Sequence, residues 1–125
     1  MKQIATEQAP SPNGHYSQAI VHDGMVYLSN QLPIIPGSRS VPEGISGQVQ
    51  QVIANCRAIL LEAGSRLEDV LSANVQITDI SNWDAVDEVW AKTFGNHRPA
   101  RSVTVVSSLH LGALVGVQMT AICKP

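Results

Sequence analysis

The dipeptide Asp23-Gly24 is the feature that most constrains the fold of this chain. It separates two strand-like runs, 16–22 and 25–30, and Asp-Gly between such runs is typical of a two-residue β-hairpin turn. A turn of this length fixes the register, so that His22 faces Met25 and Tyr16 faces Gln31. The hairpin is therefore predicted to bring Tyr16 close to the segment 29–31 at its open end.

A long helix is predicted after the loop 33–44, which holds three prolines and two glycines. Apolar side chains recur at helical spacing from Val49 to Ala63, and Gly64 suits the residue that follows a helix. The opposite face of this helix is expected to point to solvent and to carry Gln50, Gln51, Asn55, Arg57 and Glu62.

A strand at 72–78 and a second helix follow. Ala73, Val75 and Ile77 alternate with polar residues, which is typical of a strand with one buried face. Ser81 and Asp84 have the spacing of a capping box, so the second helix is expected to begin there and to end at Gly95. Its apolar stripe consists of Trp83, Val86, Val89, Trp90 and Phe94, and Asp87 lies on the flank of that stripe.

Two further strands, 102–106 and 114–123, complete the order β-β-β-α-β-α-β-β within one domain, residues 1–125. This order predicts an α+β fold with a mixed sheet and two helices packed on one face. The last strand has apolar residues on both faces, so a neighbouring subunit is expected to cover the face without helices.

Composition excludes several classes of protein. The net charge is −2 and the chain has no run of Lys or Arg, which argues against electrostatic binding of nucleic acid. Cys56 and Cys123 lie in apolar patterns and are expected to be buried thiols. The four histidines lack metal-ligand spacing, so no metal site is expected. No leader or long apolar span is found, so a cytoplasmic protein without membrane contact is expected.

Arg101 is the first candidate for a functional residue. It follows Pro99, which ends a helix, and stands at the start of a strand that would hold its side chain rigidly. A guanidinium offers a fixed fork of donors that suits a carboxylate or a phosphate. The alternative interpretation is a surface arginine in an ordinary ion pair.

Three motifs occur in a specific order: Gly14-His15-Tyr16-Ser17-Gln18-Ala19, then Val26-Tyr27-Leu28-Ser29-Asn30-Gln31-Leu32-Pro33, then Arg98-Pro99-Ala100-Arg101-Ser102. With them the chain resembles the RidA/YjgF family, also labelled L-PSP endoribonuclease, over essentially its full length. The resemblance implies a chorismate-mutase-like α+β fold and a homotrimer. In such a trimer the three sheets form a central barrel and ligand clefts lie between subunits.

The resemblance also implies a function and its residues. RidA hydrolyses 2-aminoacrylate and related 2-imino acids to 2-keto acids and ammonia, and it needs no cofactor. By resemblance, Arg101 binds the carboxylate of a small metabolite and Tyr16 lines the cleft. Ser29, Asn30 and Gln31 stand where the family has its Ser-Gly-Gln motif, so they are candidate binding residues.

Two departures from the family pattern bear on catalysis. Thr120 stands where the deaminases have a glutamate, and a threonine hydroxyl has too high a pKa to serve as a general base. Asp87 stands where the family has an asparagine, and it is the one carboxylate that could take over the role. The alternative interpretation of Asp87 is a solvated or interfacial aspartate.

Two classes of function therefore remain open. The chain is either an imine deaminase of reduced or altered activity, or a non-catalytic module that binds small carboxylates or a partner protein. Ribonuclease action is implied only by the family label, and the net charge of −2 makes it the weakest hypothesis.

Overall fold

The computed structural model describes residues 1–124 and confirms the predicted order of elements. The helices and strands of this part of the chain are β1 (Lys2–Ile4), β2 (Ala19–His22), β3 (Met25–Leu28), α1 (Ile45–Glu62), β4 (Val70–Ile77), α2 (Trp83–Phe94), β5 (Ala100–Val105) and β6 (Val115–Ile122). Short 3₁₀ turns lie at Leu67–Asp69, Ile80–Asn82 and His110–Gly112.

The strands form one mixed sheet in the order β1-β2-β3-β6-β4-β5. The β4–β5 pair is parallel and the other pairs are antiparallel. Alternate residues of β4 and β6 point towards the helices, and Val75, Val117 and Met119 are completely buried there. The core therefore lies between one face of the sheet and the two helices, which confirms the predicted α+β architecture.

The Asp23-Gly24 turn sets the register of β2 against β3. Asp23 and Gly24 both have positive φ, 50° and 75°, as a type I′ hairpin turn requires. His22 pairs with Met25, as predicted. The predicted pairing of Tyr16 with Gln31 is wrong, because the backbone of Gln31 bonds to Val117 of β6 instead.

The face of the sheet that the helices leave uncovered carries mainly polar side chains. Asn74 Nδ2 donates to Ser102 Oγ at 2.7 Å, and Gln118 Nε2 donates to Thr120 Oγ1 at 3.4 Å. Tyr27, 47% exposed, lies on this face opposite Thr120. The face therefore combines hydrogen-bonding groups with exposed apolar surface.

Asn55 corrects the prediction for the outer face of α1. Its side chain is 1% exposed and donates to the carbonyl oxygens of Leu32 and Ile34, both at 2.9 Å. Gln51 in turn donates to Asn55 Oδ1 at 3.0 Å. The loop after β3 folds over the helix, so its backbone carbonyls need a donor from α1.

The start of α2 also differs from the prediction. Ser81 and Asp84 form no capping box, since α2 begins at Trp83 after a 3₁₀ turn. Asp79 caps that turn by accepting a hydrogen bond from the Ser81 backbone N–H at 2.9 Å. This bond lowers the pKa of the Asp79 carboxyl.

Cys56 is buried, as predicted, whereas Cys123 is partly exposed. Burial raises the pKa of the Cys56 thiol to about 12, because the thiolate would lose its hydration. Cys56 is therefore a core residue and carries no nucleophile at neutral pH.

Replacing Asn55 with leucine is expected to lower the free energy of unfolding by about 2–3 kcal/mol, because two loop carbonyls would lose their donor. Urea denaturation of the purified protein measures this difference. Gln50→Leu, an exposed change on the same helix, is the control and should alter stability by less than about 0.5 kcal/mol. Equal effects of the two substitutions would contradict the role assigned to Asn55.

Candidate functional site

Arg101 is the second residue of β5, at the edge of the sheet. It pairs in register with Ala73, which is buried against the helices. Paired residues of neighbouring strands point to the same face, so the Arg101 side chain extends towards α2. Only 19% of this side chain is exposed.

The second helix supplies the groups around the guanidinium. Nη1 of Arg101 donates to Oδ1 of Asp87 at 2.9 Å. The guanidinium carbon lies 5.9 Å from the ring centroid of Trp83 and 5.5 Å from that of Trp90. Positions three and four apart share one side of a helix, so Trp83, Asp87 and Trp90 approach Arg101 together. The indole faces stabilise the cation by cation–π contact.

Arg101, Asp87 and Trp90 line a cleft with a cavity volume of about 570 Å³, in the size range of small-molecule sites. Its walls include Asp87, Trp90, Phe94, His97, Arg98 and Arg101. His97 Nε2 lies 2.7 Å from the carbonyl oxygen of Val70, so this histidine ties the loop before β5 to β4. The lining holds two arginines, Arg98 and Arg101, and one carboxylate, Asp87, and this excess of positive charge favours a small anionic ligand.

The other predicted binding residues lie at the far side of the sheet. Ser29 Oγ donates to the carbonyl oxygen of Ser17 at 2.6 Å, which places Ser29 close to Tyr16. Tyr16 is 48% exposed, and its hydroxyl accepts a hydrogen bond from the Asn13 N–H. Asn30 is exposed and Gln31 is buried. Of this group, Tyr16 and Asn30 are the side chains open to a ligand.

Thr120 does not meet Arg101 within one chain. Thr120 pairs with Tyr27 and Ser72, so its side chain points to the face of the sheet without helices. Arg101 points to the helix side and lies two strands away, a separation of about 10 Å between strand axes. A threonine hydroxyl of the same chain therefore cannot act on a ligand held by Arg101.

The predicted site residues thus form two groups in this structure. One group is Arg101 with Asp87, at the β5 edge. The other lies around β2, β3 and β6 and comprises Tyr16, Ser29, Asn30, Gln31 and Thr120. A contact between unlike surfaces of two copies of the chain is the arrangement that could join them.

Sequence reasoning assigned Trp83 and Trp90 to the core and missed their contact with Arg101. Trp90 is 6% exposed and does belong to the core, whereas Trp83 is 42% exposed. The signal was present in the spacing, because Trp83, Asp87 and Trp90 recur at intervals of four and three residues. That spacing places the carboxylate between two indoles.

Among residues 1–124, no group of three or more His, Cys, Asp and Glu side chains could hold a metal ion. No helix in this range is long and apolar enough to cross a membrane.

The chain is similar to known proteins over nearly its full length. The family described as "Endoribonuclease L-PSP" matches residues 6–123. A goat protein named 2-iminobutanoate/2-iminopropanoate deaminase is 35% identical over 123 residues, which cover 98% of this chain and 90% of that protein. The mitochondrial protein MMF1 of Saccharomyces cerevisiae is 36% identical over 121 residues, covering 97% of this chain and 83% of that protein.

A solved structure of a similar protein has the same fold. The crystal structure of RidA from an Antarctic Psychrobacter species superposes with a TM-score of 0.95 at 34% sequence identity. The superposition covers 98% of this chain and 99% of the Psychrobacter chain.

Proposed function

The chain belongs to the RidA/YjgF family, and we propose that it binds small 2-imino or 2-keto carboxylates in the cleft around Arg101. The observation that carries this proposal is the placement of Arg101: a mostly buried guanidinium on a rigid strand, opening into a concave cavity. Its bond to Asp87 involves Nη1, so other N–H donors of the fork are available to a ligand carboxylate. The name of the goat relative supports the substrate class.

The same proposal includes a homotrimer. A heterologous contact repeated around a threefold axis would place Arg101 of one subunit beside Tyr16 and Thr120 of the next. The face of the sheet without helices would lie inside such a ring. Its hydrogen-bonding side chains and the exposed ring of Tyr27 suit contact with another polar sheet.

The reaction supported by this site is slow hydrolysis of an imine. Water adds to C2 of the 2-imino acid, so that a C–O bond forms, the C=N π pair moves to nitrogen and one proton of the water passes to nitrogen. The amino group of this carbinolamine then takes up the second proton, from the new hydroxyl. An oxygen lone pair forms the C=O bond, the C–N bond breaks with its electrons going to nitrogen, and ammonia leaves the keto acid. These proton transfers need a group that titrates near neutral pH, which neither Thr120 nor the neighbouring amide of Gln118 provides. The proposal requires no cofactor.

A second function, binding without turnover, is favoured by the presence of Thr120 in place of a glutamate. If Thr120 removes the water-activating step completely, the cleft still captures carboxylates through Arg101. Ribonuclease action has the least support, since the net charge is −2 and no run of Lys or Arg exists. A cytoplasmic location stays a prediction, because one of the relatives is mitochondrial.

The trimer is testable by light scattering, which should give about three times the chain mass of 13.4 kDa.

Mixing two variants of the protein, each with one half of the cleft disabled, tests whether the cleft is shared between subunits. Arg101→Ala and Tyr16→Ala trimers should each bind 2-oxobutyrate weakly. After dissociation and random reassembly of the two variants, about a quarter of the clefts should combine an intact Arg101 with an intact Tyr16. No recovery of binding in reassembled trimers would contradict a cleft shared between subunits.

Arg101→Ala is expected to weaken binding of 2-oxobutyrate by about 10- to 100-fold, because a charge-assisted bidentate contact is lost. Arg101→Lys should recover little of it, since an ammonium cannot reproduce the fork. Isothermal titration calorimetry measures both affinities. Arg57→Ala, which removes an exposed arginine lining a different cavity, should leave binding unchanged. Equal affinities of wild type and Arg101→Ala would overturn the assignment.

Imine decay under single-turnover conditions should be about 10²- to 10⁴-fold slower than with a relative that has the glutamate, which is the usual contribution of general acid–base catalysis. Thr120→Glu should raise the rate. Asp87→Asn tests whether Asp87 supplies the base instead. Full activity in wild type that disappears in Asp87→Asn would show that the carboxylate on α2 has replaced the missing group.

A further inference from the structure

The ion pair inside the cleft is made through a single hydrogen bond. Arg101 Nη1 donates to Oδ1 of Asp87 at 2.9 Å. Within residues 1–124 the guanidinium makes no other side-chain hydrogen bond. The Asp87 side chain is 57% exposed, so its carboxylate is also accessible from the cleft. The cleft therefore presents an accessible positive group and an accessible negative group in contact with each other.

Asp87 is the only carboxylate among the residues that line this cleft. The other charged or titratable groups there are Arg98, which is exposed, and His97, whose ring is held by the Val70 carbonyl. The lining holds no second acidic group, and Arg101 is the residue of the lining that pairs with Asp87. A ligand that binds Arg101 must therefore place its own carboxylate close to that of Asp87.

This arrangement distinguishes two kinds of small carboxylate. A 2-keto acid brings only negative charge, so it either displaces Asp87 from Arg101 or experiences repulsion from it. A 2-ammonio or 2-iminio carboxylate carries a cationic nitrogen on C2, the carbon next to its carboxylate. Its two charges can pair with Arg101 and Asp87 at the same time, because those two groups are themselves in contact.

We propose that the Asp87–Arg101 pair makes the cleft selective for zwitterions, namely 2-ammonio and 2-iminio carboxylates, over 2-keto acids of the same size. This inference rests on the proposed function, since it specifies the ligand class of the same cleft. Asp87 is then the residue that determines this specificity. One consequence is that the keto acid left after imine hydrolysis binds more weakly than the substrate, which favours its release.

Calorimetry with matched ligands tests the selectivity. The intact oligomer is titrated with each enantiomer of 2-aminobutyrate and with 2-oxobutyrate, which share one carbon skeleton. Wild type should bind at least one enantiomer about tenfold or more tightly than the keto acid, the effect of one additional charge-assisted contact. In Asp87→Asn this ratio should fall to about one, through weaker amino-acid binding and stronger keto-acid binding.

Asp84→Asn is the matched control, because it removes an exposed carboxylate from the same helix without changing the cleft lining. It should keep the wild-type ratio. An unchanged ratio in Asp87→Asn, together with loss of both ligands in Arg101→Ala, would overturn the selectivity while the carboxylate-binding function stands. Wild type that binds neither ligand, or Arg101→Ala that binds both normally, would overturn the proposed function and the selectivity with it.

Discussion

The pairing of β4 with β6 on one side and with β5 on the other is the constraint on which the rest of the structure depends. β6 and β4 are matched over most of their length, and alternate residues such as Val75 and Val117 fill the core beneath the helices. The parallel register of β4 with β5 then places Arg101 beside Ala73, on the helix side of the sheet. Because the same alternation governs every strand, it also determines which candidate residues can meet.

This alternation separates Arg101, the proposed carboxylate-binding residue, from Thr120. Arg101 points towards the helices and Thr120 to the opposite face, with one strand between theirs. A ligand held by Arg101 is therefore in reach of Asp87 in its own chain. The groups of the Tyr16 side of the sheet become available only from a second chain, which links the proposed chemistry to the proposed assembly.

The sequence was most informative where a local rule decides the structure. The Asp23-Gly24 turn predicted the hairpin register, because a two-residue turn leaves few alternatives. Periodicity predicted both helices, and Gly64 with its positive φ ends α1 as expected. The strand that carries Arg101 was predicted from Pro99 and the β-branched run after it, and the structure places β5 there.

The errors arose where partners distant in sequence decide the outcome. The sequence pattern places Asn55 on the polar side of its helix. The side chain is nevertheless buried, because its amide donates to carbonyl oxygens of a loop more than twenty residues earlier. Gln31 pairs with β6 and not with Tyr16 because β6 lies beside β3 in the sheet. The opposite orientation of Arg101 and Thr120 follows from the register of β4 with β5 and with β6, which the sequence alone did not provide.

We propose that Arg101 holds a ligand carboxylate in a cleft that a second subunit completes. A crystal structure of the protein soaked with 2-oxobutyrate would show whether this is so. The ligand carboxylate should lie on the Arg101 guanidinium, with Tyr16 of a neighbouring subunit in contact with the same ligand. Ligand bound away from Arg101, or bound to Arg101 with no second subunit at the cleft, would contradict it.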